Sequence, residues 1–348
     1  MKRLFASLFL VGIMLVMPVT ARAVTMDNFK LHGFFDLEYE KADGPGHPTA
    51  AVGDKKGSFD QYHFNLLMEF PVSDKLTIKG HIEYEHGPQL TGKGEMKIEW
   101  SYLEYLLSNS MKLRGGIVLT PFGIYNEIHD ATPTYVSTRV PWGIYKADKL
   151  GGFAMFPKFS TGINLLGNYE SEGDLSLNYV VYVANGENAP DTKNEAEKDA
   201  NDNKAIGGKV MVSPMSGLTV GASYFTGKKG TTELDHSAWA GTVSYRMSPL
   251  SLRAEYASSE LDDVTETGWY GEIAYRINVI TPFVRYGTLD PDDDTDNDEW
   301  TELVYGINYE IEPNFIFKIE NRQFGGEANN SKVSEDYNEI GASVTVAF

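Results

Sequence analysis

The chain has 348 residues, with 30 Lys and Arg against 49 Asp and Glu, a formal charge of −19 and no cysteine. Absence of cysteine excludes disulfide scaffolds, thiolate metal centres and cysteine nucleophiles, and the acid excess argues against the clustered basic surface that nucleic-acid phosphates require. At 42% hydrophobic, with 20 Tyr, 18 Phe and 5 Trp, the sequence is too apolar to be a disordered chain.

At the N-terminus, Lys2 and Arg3 precede an apolar run from Leu4 to Val19, and Ala21-Arg22-Ala23 puts small residues at positions −3 and −1 of a signal-peptidase site. Residues 1–23 therefore read as a cleaved secretory signal. The run is too short, and too broken by Gly12 and Pro18, for a retained anchor. The mature chain of 325 residues (348 less 23) would carry −22, since Lys2, Arg3 and Arg22 leave with the signal. No later segment has 18 consecutive apolar residues, so no membrane-spanning helix is expected.

From there the dominant period is two. The first predicted strand, 29–41, places Leu31, Gly33, Phe35, Leu37 and Tyr39 on one face; 60–71 follows, then 75–87 with Leu76, Ile78, Gly80, Ile82 and Tyr84. Segments 96–108, 111–120 and 159–170 lead to 174–186, where Leu175, Leu177, Tyr179, Val181 and Val183 share a side. Next come 204–213, 218–227, 236–247 and 250–260, then 267–277 with Trp269, Gly271, Ile273, Tyr275 and Ile277. Segments 279–289, 300–311, 314–324 and 336–348 complete the set, the last with Ile340, Ala342, Val344, Val346 and Phe348 on one face. This is the pattern of strands between two unlike solvents.

Sixteen strands with alternating connections predict an all-β transmembrane antiparallel barrel. The longer gaps are 42–59, 88–95, 121–158, 187–203, 228–235, 261–266, 290–299 and 325–335, and the intervening gaps are tight turns such as Asn109-Ser110, Ser248-Pro249 and Glu312-Pro313. Outer-membrane barrels put long loops outside and short turns in the periplasm. Sixteen strands also enclose a lumen wide enough for water. The opposite face carries its charge: Asp36, Glu38, Lys79, His81, Glu83, Glu85, Lys97, Glu99, Lys112 and Arg114 on the earlier strands. Arg253, Glu255, Glu272, Arg276, Arg285, Glu302, Glu310, Lys318, Glu320 and Arg322 follow on the later ones. Charges are costly against lipid and inexpensive in a wet lumen.

Segment 121–158 is the longest connection and carries Phe122, Ile124, Tyr125, Ile128, Tyr135, Val136, Val140, Trp142, Ile144 and Tyr145. An apolar loop of that size is expected to pack against something. Its place between the fifth and sixth strands resembles that of the third loop of sixteen-stranded Gram-negative general porins. The stretch Gly115-Gly116-Ile117-Val118-Leu119-Thr120-Pro121-Phe122-Gly123 is similar to the strand-end motif of the phosphate-selective porin O and P family, and the terminal Phe348 resembles the C-terminal aromatic signature of outer-membrane proteins. The resemblance implies an inward-folded third loop that narrows the channel, a homotrimer in the outer membrane among lipid and lipopolysaccharide, no cofactor, and passage of ions and small hydrophilic solutes. It makes Glu127, His129, Asp130, Arg139, Lys146, Asp148 and Lys149 candidates for the narrow zone, faced by wall cations from among Lys79, Lys97, Lys112, Arg114, Arg253, Arg276 and Arg285. The loop balances cations against acids, so a phosphate trap, which needs converging Lys and Arg, does not follow from the resemblance.

Other chemistry reads less well. Gly87-Pro88-Gln89-Leu90-Thr91-Gly92-Lys93-Gly94 lacks the Ser/Thr and the helix of a phosphate-binding loop. His81, Glu83 and Glu85 share a face without a zinc spacing and read as lumen lining rather than a metal site. Asp292, Asp294, Asp296 and Asp298 offer oxygen ligands for Ca²⁺, but their loop lacks the Gly and Glu of an EF-hand and reads as a solvated tip. An outer-membrane lipase or protease is the rival of a different class, although no His sits in a nucleophile motif. A barrel serving as adhesin or as scaffold for a partner chain is a further alternative, and a long-chain hydrophobic transporter would need an N-terminal plug that the pattern lacks. Segments 187–203, 260–266 and 290–299, at −4, −4 and −7, place most of the acid excess at an outer vestibule with a cation bias.

Overall fold

The computed structural model describes residues 28–43, 57–85, 96–150, 152–187, 199–327 and 336–348, without the side chains of Asp148 and Lys149. The signal segment 1–23, the stretch 87–94 and most of 187–203 lie outside the described residues. The described residues form sixteen strands: β1 Lys30–Asp43, β2 Ser58–Pro71, β3 Leu76–Glu85, β4 Met96–Ser108, β5 Met111–Leu119, β6 Phe159–Glu170, β7 Ser176–Asn185 and β8 Lys204–Met215, then β9 Leu218–Lys229, β10 Leu234–Met247, β11 Leu250–Leu261, β12 Val264–Tyr275, β13 Ile280–Asp290, β14 Trp300–Glu312, β15 Phe315–Gly326 and β16 Tyr337–Ala347. Each pairs antiparallel with its sequence neighbours, and β1 pairs with β16 to close the barrel. Closure removes the edges that hydrocarbon could not satisfy. Two backbone hydrogen bonds between Gly33 and Phe348, 2.8 and 2.9 Å, finish the seam. Gly33 is required there, because a Cβ would lie 2.5 Å from the Asn65 carbonyl and 2.6 Å from the Phe348 ring.

The two faces invert the arrangement of a water-soluble sheet. Leu37, Val181, Val243, Ile273, Ile307 and Ile340 point outward and are 38–50% exposed, whereas Asp36, Glu38, Glu255, Glu272, Glu302 and Glu320 point inward and are at most 6% exposed. Cross-strand pairs Trp239–Tyr256 (5.3 Å) and Trp269–Tyr286 (5.7 Å) add aromatic rings to the outer surface. Only hydrocarbon makes that exterior favourable. Val243→Arg, near the middle of β10, is therefore expected to destabilise the folded barrel by about 2–4 kcal/mol, read as a lower urea midpoint in lipid vesicles.

Turns at one rim are tight, as at 109–110, 216–217 and 313–314, with Gly217 (φ +81°) and Asn314 (φ +66°) in the left-handed conformation such turns need. At the other rim, two connections expected to be long are also tight. β9 and β10 are joined by residues 230–233, and β11 and β12 by Asp262 and Asp263 alone. The strands there run further than their apolar alternation indicates. Glu266 consequently lies on β12 and is fully buried, rather than on a solvated loop.

The hydrophobic core lies inside the barrel and is built largely from the connection between β5 and β6, residues 120–158. Phe122, Tyr125, Val140, Ile144, Leu150 and Phe156 pack against Tyr270, Leu289, Trp300, Phe324 and Tyr337 of the inner wall. Alanines at 184, 205, 238, 240 and 257 leave room for them on the facing strands.

Candidate functional site

The long connection begins and ends at a clamp. Thr120 N donates to the Lys158 carbonyl (2.9 Å), and Asn126 Nδ2 donates to the carbonyls of Thr120 (2.8 Å) and Lys158 (3.0 Å). Between these stems the chain makes short 3-10 turns at Asn126–Ile128, Thr132–Thr134 and Ala147–Leu150, and one helical turn, α1, at Trp142–Tyr145. No long element forms, because the apolar residues answer to the surrounding wall and not to a helical period. Phe122 and Phe156 stack at 4.2 Å, and Trp142 stacks on Phe324 of β15 at 5.3 Å.

Polar anchors fix the loop to the wall. Tyr145 Oη accepts from the Ile124 and Tyr125 amides (2.8 and 2.9 Å) and donates to Glu255 on β11 (2.7 Å). Tyr145→Phe would orphan the Tyr125 amide and leave the Ile124 amide only its longer bond to Glu255 (3.4 Å), so a loss of about 1–3 kcal/mol is expected, read as a lower thermal midpoint. Lys318 on β15 is fully buried and donates to three loop carbonyls, those of Thr132 (2.7 Å), Tyr135 (2.6 Å) and Ser137 (2.9 Å). Its neighbour Glu320 accepts from Ser137 Oγ (3.1 Å) and from Thr138 N and Oγ1 (3.0 and 2.8 Å).

The sequence candidates on the loop fall in separate places. Glu127, which is exposed, pairs with Lys209 of β8 at 2.8 Å. Asp130 meets Lys158 at 3.4 Å, His129 at 3.8 Å and His63 of β2 at 3.9 Å. Burial opposes its charge, but Lys158 outweighs burial and holds its carboxyl far below the ordinary range. Burial and the adjacent Lys158 keep His129 neutral, and the same two causes push Lys146 down to about 8. Arg139 is paired with Glu40 of β1, lies 4.0 Å from Glu38, and sits 5.7 Å from the rings of Tyr62 and Trp142. Asp148 and Lys149 are placed in the turn at Ala147–Leu150 by their backbone.

Among the proposed wall cations, Lys79, Lys112 and Arg114 converge on Glu104 of β4, at 3.9, 3.2 and 2.8 Å. Their side chains are 23%, 45% and 23% exposed, so this patch on β3–β5 is partly open to solvent. Lys97 is half-buried on β4, in register with Glu83. Arg253 and Arg285 are instead buried against the loop, donating to Tyr125 Oη (2.6 Å) and the Arg139 carbonyl (3.0 Å). Arg276 lies beyond β12 at the tight-turn rim, paired with Glu310 and away from the loop. The candidates did not include Lys158, Lys209 or Lys318. Lys318 was legible only as an inward residue, and Lys158 and Lys209 had no signal beyond their charge.

Two further polar clusters lie near the loop-bearing rim. His236 bridges Glu187, through Nδ1, and Ser259, 3.0 Å from Nε2, with Lys229 3.3 Å from the same carboxylate. In the acidic loop, the Asp292 carboxylate accepts from Asp294 N (3.2 Å) and Thr295 Oγ1 (2.9 Å), so it serves the turn. Asp298 is buried, and burial with the neighbouring Asp290 and Asp292 pushes it up to about 6. Asp296 is exposed.

The sequence model of the family described as Gram-negative porin matches residues 9–329. An uncharacterized protein of Aquifex aeolicus (strain VF5) is 28% identical over 207 residues, 56% of this chain and 43% of that protein. The matched stretch thus spans less than half the length of that relative. Among solved structures, the anion-selective porin from Comamonas acidovorans superposes with a TM-score of 0.64 at 12% identity, covering 92% of this chain and 99% of that one. The trimer form of OmpT, an outer membrane protein of Vibrio cholerae, gives 0.60 at 12% identity, covering 92% and 99%.

Proposed function

The chain belongs to the Gram-negative porin family and is an outer-membrane barrel, and from that premise we propose that it conducts ions and small hydrophilic solutes passively through a water-filled lumen narrowed by residues 120–158. The observation that carries this reading is the loop bound to the inner wall through Lys318, Arg285 and Tyr145, leaving partly exposed charge at Lys79, Lys112, Arg114, Lys209 and Glu127. Paired cations and acids across a narrow aqueous gap order water and discriminate ions by close-range electrostatics. The acidic tip at 290–299 supplies a weak cation bias at the outer mouth, felt within a Debye length of about 8 Å at physiological salt. A homotrimer among lipid and lipopolysaccharide completes the assembly. The trimeric relative and the apolar exterior support that reading. Ion selectivity from a gradient of KCl tests it: a reversal potential of cation sign fits, and an anion sign, as the name of the Comamonas protein would suggest, refutes the bias.

One observation favours a second reading, a hydrolytic barrel. Glu187, His236 and Ser259 form the acid, base and nucleophile order of a serine hydrolase. Ser259 is 1% exposed, and the Phe153 and Phe225 rings pack on His236 at 5.9 and 5.3 Å, so among the described residues the hydroxyl is shielded from solvent. A polar latch at the barrel rim is the favoured role. A fluorophosphonate probe should leave the folded protein unlabelled, and labelling lost in Ser259→Ala would establish the hydrolase instead.

A further inference from the structure

We infer that His63, Glu83, Glu85 and Asp130 form a binding site for one divalent transition-metal ion, which would fasten the inward loop to β2 and β3. One donor atom from each of the four falls within 4.8 Å of the others. His63 Nε2 lies 3.7 Å from Glu85 Oε1 and 3.9 Å from Asp130 Oδ1, close to the roughly 3.4 Å edge of a tetrahedron with metal–ligand bonds of about 2.1 Å. Three of the four residues are buried, at 2%, 1% and 7% exposed for His63, Glu83 and Asp130. Glu85, at 23%, stands on the side from which an ion enters.

The orientation of His63 points to a ligand independently. Its backbone amide donates to Asp36 Oδ1 (2.6 Å), and its ring Nδ1 meets Asp36 Oδ2 (3.1 Å). A proton held on Nδ1 by that carboxylate leaves the lone pair on Nε2, the atom aimed into the cluster, and Nε2 makes no hydrogen bond to the described residues. A carboxylate behind an imidazole is the arrangement that fixes metal-bound histidines elsewhere. Charge balance adds a second reason. Asp36, Glu83, Glu85, Glu99 and Asp130 crowd this corner, where Lys158 lies 3.1 Å from Glu99 and 3.4 Å from Asp130 Oδ2. Lys158 uses Oδ2, so Oδ1 stays available to an ion. Buried carboxylates this close repel one another, and a divalent cation would offset two of their charges. One imidazole and three carboxylates suit Zn²⁺, Fe²⁺ or Mn²⁺, and the nitrogen disfavours Ca²⁺ and Mg²⁺.

The test uses the full protein in detergent, stripped with EDTA and titrated with Zn²⁺, with bound metal counted by elemental analysis and located by anomalous scattering at the zinc edge. One zinc per chain is expected beside His63, with Zn²⁺ raising the temperature at which the barrel unfolds. His63→Gln and Asp130→Asn should each abolish it, and Asp36→Asn should weaken it about 10–100-fold by freeing the imidazole. Asn at Asp292, Asp293 and Asp294 together should leave binding unchanged. Zinc that persists in His63→Gln, that disappears with the Asp292 to Asp294 changes, or that fails to bind the stripped wild type overturns the assignment. If the His63 and Asp130 variants do not fold, the Asp36 variant and the zinc-edge map decide. Metal is counted without reference to conduction, so this result is separable from that of the channel reading.

Discussion

Lys318→Met is expected to release the inward loop, raise single-channel conductance and lower the stability of the barrel. The ammonium is fully buried and satisfies three carbonyls of residues 132–137 at once. Methionine fills similar volume but donates nothing. Each orphaned buried carbonyl costs about 1–3 kcal/mol, and the loop can escape that cost by moving into the lumen where water replaces the lysine. Thr132 would also part from Thr345 on β16, now 3.0 Å away. A loss of about 3 kcal/mol or more is expected in unfolding, together with a wider and noisier channel in planar bilayers. A variant of normal stability and unchanged conductance would mean that the loop is held by its apolar core alone.

Neutralising the exposed acids at the tip between β13 and β14 is expected to change selectivity without touching stability. Asp293, Asp294 and Asp296 are exposed, whereas the Asp292 carboxylate holds the turn and Asp298 is buried, so the first three are the residues to change to Asn. At about 0.01 M salt the Debye length is about 30 Å, and the field of three charges reaches the channel mouth. The cation-to-anion permeability ratio should then fall by roughly a factor of two. At about 1 M, where screening acts within about 3 Å, wild type and variant should coincide. A ratio that is insensitive to the triple change at low salt would place the selectivity filter wholly in the inner wall and loop.

The barrel was legible because period two is written directly in residue order. Ile340, Ala342, Val344 and Val346 share the outer face of β16, and the pattern recurs sixteen times with boundaries mostly within a few residues of those in the structure. The apolar character of Phe122, Tyr125 and Ile144 also announced a buried loop. Its partners were another matter. Trp300, Phe324 and Tyr337 sit at inward positions that alternation assigns to a wet lumen, and they form core only because the loop comes to them. Hairpin lengths at 230–233 and 262–263 were hidden because strands projecting beyond the bilayer no longer need an apolar face, so Glu266 and Glu187, counted with the solvated acids, prove to be buried. The meeting of His63 with Glu83 and Asp130 depends on strand register and on where the loop crosses. β2–β3 pairing sets His63 opposite Glu85, and no local spacing encodes that.

The central claim, that this barrel is an open channel narrowed by its third loop, is tested most directly by reconstituting the purified protein in planar lipid bilayers and recording current against voltage. The account predicts stepwise, ohmic conductance in groups of three that grows with salt concentration. Sealed bilayers that show no steps after verified insertion of folded protein would contradict it.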